Sequence, residues 1–364
     1  MKIGILTFVN TTNYGAALQS YALQQVLGQQ GQDCEIIDYT CENIDRVHDP
    51  KKASRKGGIK NLLAPILQVP LQKTYDKFMK FKKIYCRYSI PCDRSTIASV
   101  AGKYDRIVVG SDQVWNAVIT GDDRSFLLDF LDDDKKKYTY AASIGTGYFT
   151  KLKSEYEALI NRFQLISIRE KGAADQLRKH IGRDDVCVDL DPTLLNRDIW
   201  GSLITNDSPY GKYIFCYFLP KDKKLIVAIR RFAKENKCKI INLTKSIRRH
   251  KGIHSINVAS PIDFLNLIAH AQYVIAGSFH SLCFSLIFHK EFYVVSSPIA
   301  DRNSRLTDLL DTLELNNRFV MQPDYEFQQE KINYDTVDKK LDAEITCSME
   351  TIKKICRSTG KNEK

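Results

Sequence analysis

The residues with the clearest chemical potential stand where an apolar run ends, in the second half of the chain. The run 273–275 is typical of a buried strand, the glycine that follows permits a tight turn, and Ser278 can cap a helix that begins near His280. With Phe279 and Ser281, an imidazole, two hydroxyls and free backbone N–H groups meet at one helix N-terminus. Such a site binds anions and can exchange a proton. A structural histidine is the alternative, and the position at a strand-end turn favours function.

A cation stands at a second strand end. Arg169 follows the apolar run 165–168, and a guanidinium there can bind a carboxylate or a phosphate through two parallel hydrogen bonds. An ion pair with Glu170 is an equally good interpretation of the same residue. The pattern indicates an anion ligand or a structural pair and leaves the two open.

Two polar loops of the first half could contact a sugar or an anion. After the first strand, a polar turn opens a helix and presents Asn13, Tyr14 and Gly15, with Gln19 one turn further on. The backbone N–H groups of such a turn suit an anion or sugar hydroxyls, although a simple helix cap is a common alternative.

The second loop follows the apolar run 106–109. Its Asp112 and Gln113 could hydrogen-bond hydroxyls while Trp115 packs on a sugar ring. From spacing alone, an Asp-capped turn with the indole in the core is the better interpretation.

These turns are positioned by an alternation of apolar runs and helical patterns. The first half predicts strands at 3–8, 34–37, 106–109, 138–142, 165–168 and 186–188, and helices at 16–30, 151–161 and 172–181. The second predicts strands at 213–218, 239–242, 273–275 and 292–295, and helices at 222–235, 262–270, from about 280, and at 304–313. Alternation of this kind predicts an α/β fold with parallel sheets between helical layers.

The turn formers clustered at 205–211 are the best linker candidate in the chain. We therefore predict two Rossmann-like, doubly wound domains, residues 1–202 and 203–335, which face each other across a cleft. Residues 336–364, with a helix at 344–357, are expected to form a helical tail that packs back on the first domain.

Bulk composition excludes several classes of protein. A hydrophobic fraction of 43% and a charged fraction of 27% are those of a globular chain. No apolar run reaches the eighteen or so residues that span a bilayer, and the N-terminus reads as a strand rather than a signal peptide, so we expect a cytoplasmic protein. The ten cysteines show no C-x-x-C spacing and no grouping with histidine, which predicts neither a disulfide framework nor a structural metal.

The positive charge is concentrated in one segment. Twelve Lys or Arg residues against two Asp residues give residues 46–88 a charge of +10, out of +11 for the chain. Within it Lys73, Lys77, Lys80 and Lys83 recur at helical spacing. A solvated helix face is the first interpretation, and a surface for anionic lipid headgroups or a diphosphate-linked acceptor is the second. Nucleic acid is the least supported, because no RNA-binding or helix-turn-helix pattern accompanies the charge, and we expect no such partner.

Four runs, taken in order, resemble the signatures of the polysaccharide pyruvyl transferase family. They are residues 7–19, residues 110–116, residues 167–170 with 191–195, and residues 277–281. Arg305, before a leucine-rich helix, resembles a further family position. The resemblance implies a GT-B-like fold, and transfer of a pyruvyl group from phosphoenolpyruvate onto two hydroxyls of one sugar to form a cyclic ketal.

The resemblance also implies roles for individual residues. His280 would be a general acid, Arg169 and Arg305 would bind the donor with the turn that begins at Ser278, and the first-domain loops would hold the sugar. Characterised members carry Arg two positions before this histidine, where the present chain has Ser278. Either Arg305 or Lys171 replaces that cation, or the donor differs.

Taken together, these features predict a cytoplasmic transferase with phosphoenolpyruvate as co-substrate and with no resident cofactor or metal. The acceptor would be a sugar of a cell-surface polysaccharide or its lipid-linked oligosaccharide precursor, with peripheral contact at the inner membrane surface. Two other classes stay open. A GT-B glycosyltransferase with a nucleotide-sugar donor would release a nucleotide, and a non-catalytic carbohydrate-binding protein would bind sugar without turnover.

Overall fold

The computed structural model describes residues 1–53, 64–145, 154–217, 222–246, 249–295, 304–320, 325–327 and 330–357. The strands within these ranges are β1 Lys2–Leu6, β2 Asp33–Ile36, β3 Arg106–Val109, β4 Lys137–Thr139, β5 Ile166–Ile168, β6 Val186–Val188, β7 Tyr213–Tyr217, β8 Lys239–Leu243, β9 His254–Ile256, β10 Tyr273–Ala276, β11 Glu291–Val295 and β12 Phe319–Val320.

The helices of the same ranges include several single turns as well as long elements. They are α1 Tyr14–Gln29, α2 Glu42–His48, α3 Pro50–Ala53, α4 Ala64–Tyr85, α5 Ile97–Ala101, α6 Ala117–Thr120, α7 Ser154–Asn161, α8 Lys171–Ile181, α9 Pro192–Leu195, α10 Lys223–Glu235, α11 Pro261–Ala269, α12 Phe279–Ile287, α13 Ser304–Thr312 and α14 Tyr334–Cys356.

The strands form parallel sheets in each half of the chain. In the first half, β2-β1-β3-β4 pair in that order, and isolated bridges link β4 to the pair β5-β6. In the second half, the order β12-β11-β10-β7-β8-β9 is the 3-2-1-4-5-6 order of a dinucleotide-binding fold, read from the other edge. Such sheets are covered on both faces, which is why β3 and β7 are buried along their whole length. The predicted α/β class and doubly wound, Rossmann-like architecture are confirmed.

The two halves share an aromatic core. Tyr14, in the first turn of α1, stacks on Phe264 of α11 with ring centroids 5.0 Å apart, and it also contacts Phe78 of α4 at 5.0 Å. Trp200, which is fully buried, meets Phe284 of α12 edge-on at 4.9 Å. Each fully buried aromatic side chain contributes roughly 1.5–3 kcal/mol through the apolar surface that it removes from water. The core therefore holds the halves in contact through α1, α4 and α12.

The helix α4, which lies in the basic segment 46–88, contacts both halves. Within α4, Thr74 donates a hydrogen bond to the carbonyl of Asn257, and the Lys77 ammonium lies 2.7 Å from the Asp263 carboxylate, both across the boundary. The buried face of α4 carries Phe78, whereas Lys73, Lys80 and Lys83 are exposed. Residues 54–63 of the predicted basic segment lie outside the described residues. Of the four predicted lysines, Lys77 is engaged in an ion pair and three face solvent.

The last helix is longer than the sequence pattern predicts. It begins at Tyr334, ten residues before the predicted start, because Asn333 caps it through Thr336 N and Leu341 is buried in the shared core. Further along, Ser348 Oγ accepts a hydrogen bond from Leu190 N at 2.9 Å, and Ile355 is buried beside β1 and β2. The helix thus runs from the second half onto the first.

No helix among the described residues is long and apolar enough to cross a membrane.

Candidate active site

His280 lies at the start of α12, against the first turn of α1. Ser278 caps α12 through a reciprocal capping box with Ser281, which fixes the turn that carries the imidazole. The ring is buried, with 8% of the residue exposed. A methyl group placed on Gly15 would lie 2.0 Å from His280 Nδ1 and 2.5 Å from Cε1, so only a glycine leaves room for the ring here. The chain thereby places an imidazole from the second half directly on the backbone of the first.

Asp191 lies on the other side of the imidazole. Its Oδ2 is 3.4 Å from His280 Nε2 and accepts hydrogen bonds from Arg169 Nη1 at 2.7 Å and from Ser111 Oγ at 3.3 Å. Its Oδ1 caps α9 by accepting from the N–H and hydroxyl of Thr193. Burial alone would raise the pKa of this fully buried carboxyl, but His280 and Arg169 together hold it far below its ordinary range. Asp191 is a fixed negative charge behind the histidine.

The Arg169 guanidinium is largely committed within the protein. Besides the bond to Asp191, its Nε lies 3.4 Å from Glu170 Oε1, and its face covers the Phe279 ring at 4.8 Å. Burial opposes its charge, yet the adjacent carboxylates raise its pKa above the already high ordinary value. Among the residues that the structure describes, its Nη2 has no hydrogen-bond partner. Arg169 therefore forms the structural pair, and its role as an anion ligand, through the Nη2 amino group, stays a prediction.

Arg305 approaches the same cluster from α13. Its Nε lies 3.9 Å from Glu170 Oε1, and that carboxylate also accepts a 2.6 Å hydrogen bond from Ser143 Oγ. With the Gln113 amide oxygen turned toward it, the Arg305 guanidinium donates to that oxygen at 2.9 and 3.2 Å. Burial and the nearby Arg169 charge lower the pKa of Arg305. Arg305 therefore links α13 of the second half to the loop after β3.

Four buried polar atoms of this cluster have no hydrogen-bond partner within the described part of the chain. They are Asp112 Oδ2, Arg169 Nη2, Glu170 Oε2 and His280 Nε2. Asp112 also adopts a positive φ of 73°, which is uncommon for a residue other than glycine. Because buried polar groups are normally satisfied, several free ones together indicate a place where a polar ligand completes the network.

A family model of polysaccharide pyruvyl transferases matches residues 13–298, more than three quarters of the chain and every residue of this cluster but Arg305. The chain belongs to the polysaccharide pyruvyl transferase family. Among curated proteins, none is similar enough in sequence to count as a relative.

Solved structures show the fold of this pyruvyl transferase family member. An α-glucosyltransferase, solved in complex with UDP and DNA, aligns with a TM-score of 0.50 and 8% identity, over 97% of this chain and 95% of its own. A UDP-GlcNAc 2-epimerase from Neisseria meningitidis aligns with a TM-score of 0.47 and 10% identity, over 96% of this chain and all of its own. The UDP-GlcNAc 2-epimerase from Methanocaldococcus jannaschii aligns with a TM-score of 0.48 and 12% identity, over 94% of this chain and 92% of its own. The likeness to the α-glucosyltransferase, at 8% identity, shows the fold alone, which is the expected GT-B arrangement of two Rossmann-like domains.

Three residues predicted to contact the acceptor make structural contacts in this family member. Trp115 is buried and donates its indole N–H to the Phe126 carbonyl, so it presents no face to a sugar. Gln19 is fully buried and ties Thr7 to the backbone of Ser111. The Tyr14 ring is part of the aromatic core between the halves. The acceptor role of these three stays a prediction, and the contacts described for them are made within the protein.

Three further predicted site residues take part in helix capping. Asn13 caps α1, its Oδ1 accepting from Gly15 N and Ala16 N, although the residue itself is exposed. Ser281 Oγ donates to the Ser278 carbonyl at 2.7 Å and is fully buried, and its donor contact stays a prediction. Ser278 is half-buried, with its hydroxyl in the same capping box. The predicted residues that the fold does bring together are His280, Gly15, Arg169, Phe279, Asp112, Gln113 and Arg305.

Sequence reasoning missed the central residue of the cluster. Asp191 stood out only as part of a family run, yet it contacts both His280 and Arg169. The available signal was its place three residues after a predicted strand and directly before a proline, which is typical of a helix cap at the carboxyl edge of a sheet.

Replacing Gly15 with alanine should displace the imidazole and lower turnover of phosphoenolpyruvate about 100-fold, since misplacing a reacting group by about 1 Å costs on that order. The matched control is Gly28→Ala in the same helix, where a methyl group meets no atom within 4 Å. That control should keep its activity and melt no earlier, because alanine is the better helix former. Equal activity in the two variants would show that Gly15 does not set the position of His280.

Proposed function

We propose that the chain transfers the pyruvyl group of phosphoenolpyruvate to two hydroxyls of one sugar in a cell-surface polysaccharide or its lipid-linked precursor. The observation that supports this most strongly is the His280 imidazole, held between Asp191 and Gly15 where the two halves meet. Family membership supports the reaction class, and the cluster supplies the proton donor and anion ligand that the reaction needs.

The proposed reaction needs one proton at carbon and one leaving group. A sugar hydroxyl oxygen bonds to C2 of the enol while C3 takes up a proton and becomes a methyl group. A second hydroxyl then replaces the phosphate on C2, and the remaining proton leaves with inorganic phosphate. We assign the first proton transfer to His280, with Asp191 orienting the ring and stabilising its charged form.

The charged side chains around the histidine have complementary tasks in this scheme. The free Nη2 of Arg169 can hold the donor's carboxylate, while Asp112 Oδ2 can accept a hydrogen bond from an acceptor hydroxyl. Phe279 packs beneath the guanidinium and fixes its plane. The cluster therefore positions both substrates with side chains drawn from the two halves.

The direct test is incubation with phosphoenolpyruvate and a pool of lipid-linked oligosaccharides. We expect release of inorganic phosphate together with an acceptor heavier by one pyruvyl ketal in mass spectrometry. Release of a nucleotide from a nucleotide-sugar instead would assign the chain to the glycosyltransferases of this fold. Sugar binding without turnover of either donor would identify a binding protein.

The solvent-exposed face of α4 is a candidate surface for contact with the membrane that carries a lipid-linked acceptor. Val69 and Ile84, which are 53% and 57% exposed, share the solvent face of the helix with Lys73, Lys80 and Lys83. Exposed apolar side chains among lysines suit an anionic lipid surface, to which each lysine contributes about 1 kcal/mol. We propose peripheral contact with the inner membrane surface through this face.

In a flotation experiment, the protein should bind anionic liposomes at low salt and dissociate from them as the salt concentration rises. Changing Lys73, Lys80 and Lys83 to Gln should weaken binding by up to about 100-fold, since three contributions of about 1 kcal/mol are removed. Lys77→Gln is the control, because that lysine is paired with Asp263 and should matter little. Absence of liposome binding at low salt would leave α4 as a connecting helix with a solvated face.

A further inference from the structure

The cluster around His280 has no excess of positive charge. Asp112, Glu170 and Asp191 supply three carboxylates, against the guanidiniums of Arg169 and Arg305. A phosphate placed next to an uncompensated carboxylate is disfavoured by the repulsion of like charges. The phosphate of a donor therefore requires a cation outside this cluster.

Lys245 is such a cation, and it contacts the first half beside the start of α1. It stands two residues after β8, at the carboxyl edge of the second sheet, and its Nζ donates a 3.0 Å hydrogen bond to Thr12 Oγ1 in the first half. Thr12 precedes Gly15 by three residues, so their Cα atoms are at most about 11 Å apart. Lys245 thus contacts the loop that leads into Gly15, and the His280 imidazole packs against that glycine.

The Lys245 charge is not neutralised by a neighbour. Among the residues that the structure describes, no carboxylate pairs with its ammonium, and no carboxylate contributes to its pKa, which burial alone lowers. The residue is nevertheless exposed to solvent. An unpaired ammonium that is partly desolvated but reachable from solvent is a favourable place for an anion.

His48 adds a hydrogen-bond donor beside Lys245 and Thr12. Its Nδ1 accepts from the backbone N–H of Thr12 at 3.3 Å and lies 3.1 Å from that residue's hydroxyl. Burial, together with the Lys245 charge, lowers the pKa of His48 to about 4, so the ring is neutral at pH 7. With Nδ1 accepting, the ring hydrogen resides on Nε2 and can be donated. Lys245 therefore supplies the charge, and His48 with Thr12 supplies neutral polar groups.

We propose that Lys245, assisted by Thr12 and His48, binds the phosphate group of the donor, while Arg169 at the His280 cluster faces the donor's carboxylate. This assignment rests on the proposed function for the identity of the donor, but the site itself would take any phosphate or phosphomonoester. It divides the donor between two places, with the leaving group near Lys245 and the reacting carbons near the imidazole. Neither Arg305 nor Lys171 is then required as the phosphate ligand.

The test is binding of three probes, namely inorganic phosphate, phosphoenolpyruvate and pyruvate, measured by calorimetry on the full chain. Lys245→Gln should weaken phosphate and phosphoenolpyruvate about 10- to 100-fold, the usual loss for a hydrogen bond to a charged group. Pyruvate binding should not change, because pyruvate lacks the phosphate. Lys245→Arg should retain most of the affinity, and binding to the wild type should weaken as salt rises.

Two further variants separate anion binding from contact between the halves. Thr12→Val removes the hydrogen bond to Lys245 but keeps the ammonium, and it should weaken phosphate only a few-fold, about the loss of one neutral hydrogen bond. Lys77→Gln removes another lysine that bridges the halves and should leave phosphate binding unchanged. If Thr12→Val weakened phosphate binding as much as Lys245→Gln does, Lys245 would act by joining the two halves. That result would overturn the proposal.

Wild-type protein that binds no phosphate at millimolar concentration, or Lys245→Gln protein that binds it normally, would overturn the proposal. Phosphate binding that depends on Lys245, in a protein that does not turn over phosphoenolpyruvate, would support the site while rejecting the proposed donor. The melting temperature of each variant is measured alongside, and affinity lost by Lys245→Gln but restored by Lys245→Arg excludes general unfolding.

Discussion

His280→Ala should lower turnover of phosphoenolpyruvate by about 10²–10⁴-fold, the usual contribution of a general acid. An imidazole is the side chain that most often serves as a general acid or base in enzymes. Asp191 and Gly15 hold it in one place, so its loss removes the proton donor without altering the other charged groups. Turnover is measured as phosphate release at saturating phosphoenolpyruvate, with donor binding measured separately by calorimetry.

His280→Asn is the companion variant, because its amide keeps hydrogen-bonding capacity but cannot transfer a proton at neutral pH. We expect it to be as inactive as His280→Ala while melting closer to the wild type. Arg169→Ala, in contrast, should chiefly weaken donor binding. Near-normal turnover in His280→Ala would refute the role of general acid, and failure of both histidine variants to fold would make this a structural histidine.

Asp191→Asn should reduce the free energy of unfolding by about 3–5 kcal/mol at pH 7, the typical loss when one partner of a buried ion pair is removed. The carboxyl is fully buried, and the neutral amide would leave the Arg169 guanidinium with Glu170 as its remaining close counter-charge. Activity should fall as well, since His280 loses the charge that orients it. Urea denaturation followed by circular dichroism measures the loss.

The stability effect of Asp191 depends on pH in a defined direction. Its pKa is lowered in the folded state, so its contribution is fully present above the unfolded value of about 3.9 and is lost as the pH falls below it. The difference between wild type and Asp191→Asn should therefore shrink in acid below about pH 4. A difference that stays constant from pH 7 to pH 3 would contradict the assignment.

Asp189 is a matched control on the same stretch of chain. It is also buried, but burial raises the pKa of its carboxyl to about 6. Its ionised form therefore costs stability, a cost that develops between about pH 4 and pH 6 and is complete above pH 6. Asp189→Asn should consequently be far less damaging at pH 7 than Asp191→Asn, although both remove one buried carboxylate.

The sequence predicted most strands because parallel strands buried on both faces are short apolar runs. It missed β9 and β12, of three and two residues, whose composition differs little from that of a loop. The α/β class and the doubly wound architecture follow from local patterns, as does the helical spacing of the lysines at 73–83, which lie on α4. Local patterns also located the strand ends, and with them His280 and Arg169.

What the sequence could not supply was the set of contacts between distant residues. Gly15 and His280 are 265 positions apart, and no local pattern links a glycine in one helix to an imidazole in another. The burial of Trp115 and Gln19 likewise depends on packing against distant strands and loops. Lys245 gave no signal at all, since a lysine after a strand is ordinary until a partner from the other half is seen across from it.

The aromatic rings buried between the halves make the molecule one cooperative unit. Trp200 lies just before the turn-rich stretch 205–211 and is buried against Phe284 beyond it, so cutting the chain at that stretch would expose a large apolar surface on both pieces. Neither half could then be exchanged with that of a relative as an independent module. Over evolution, a change of donor or acceptor in such a chain has to come from substitutions in the strand-end loops, with the shared core left intact.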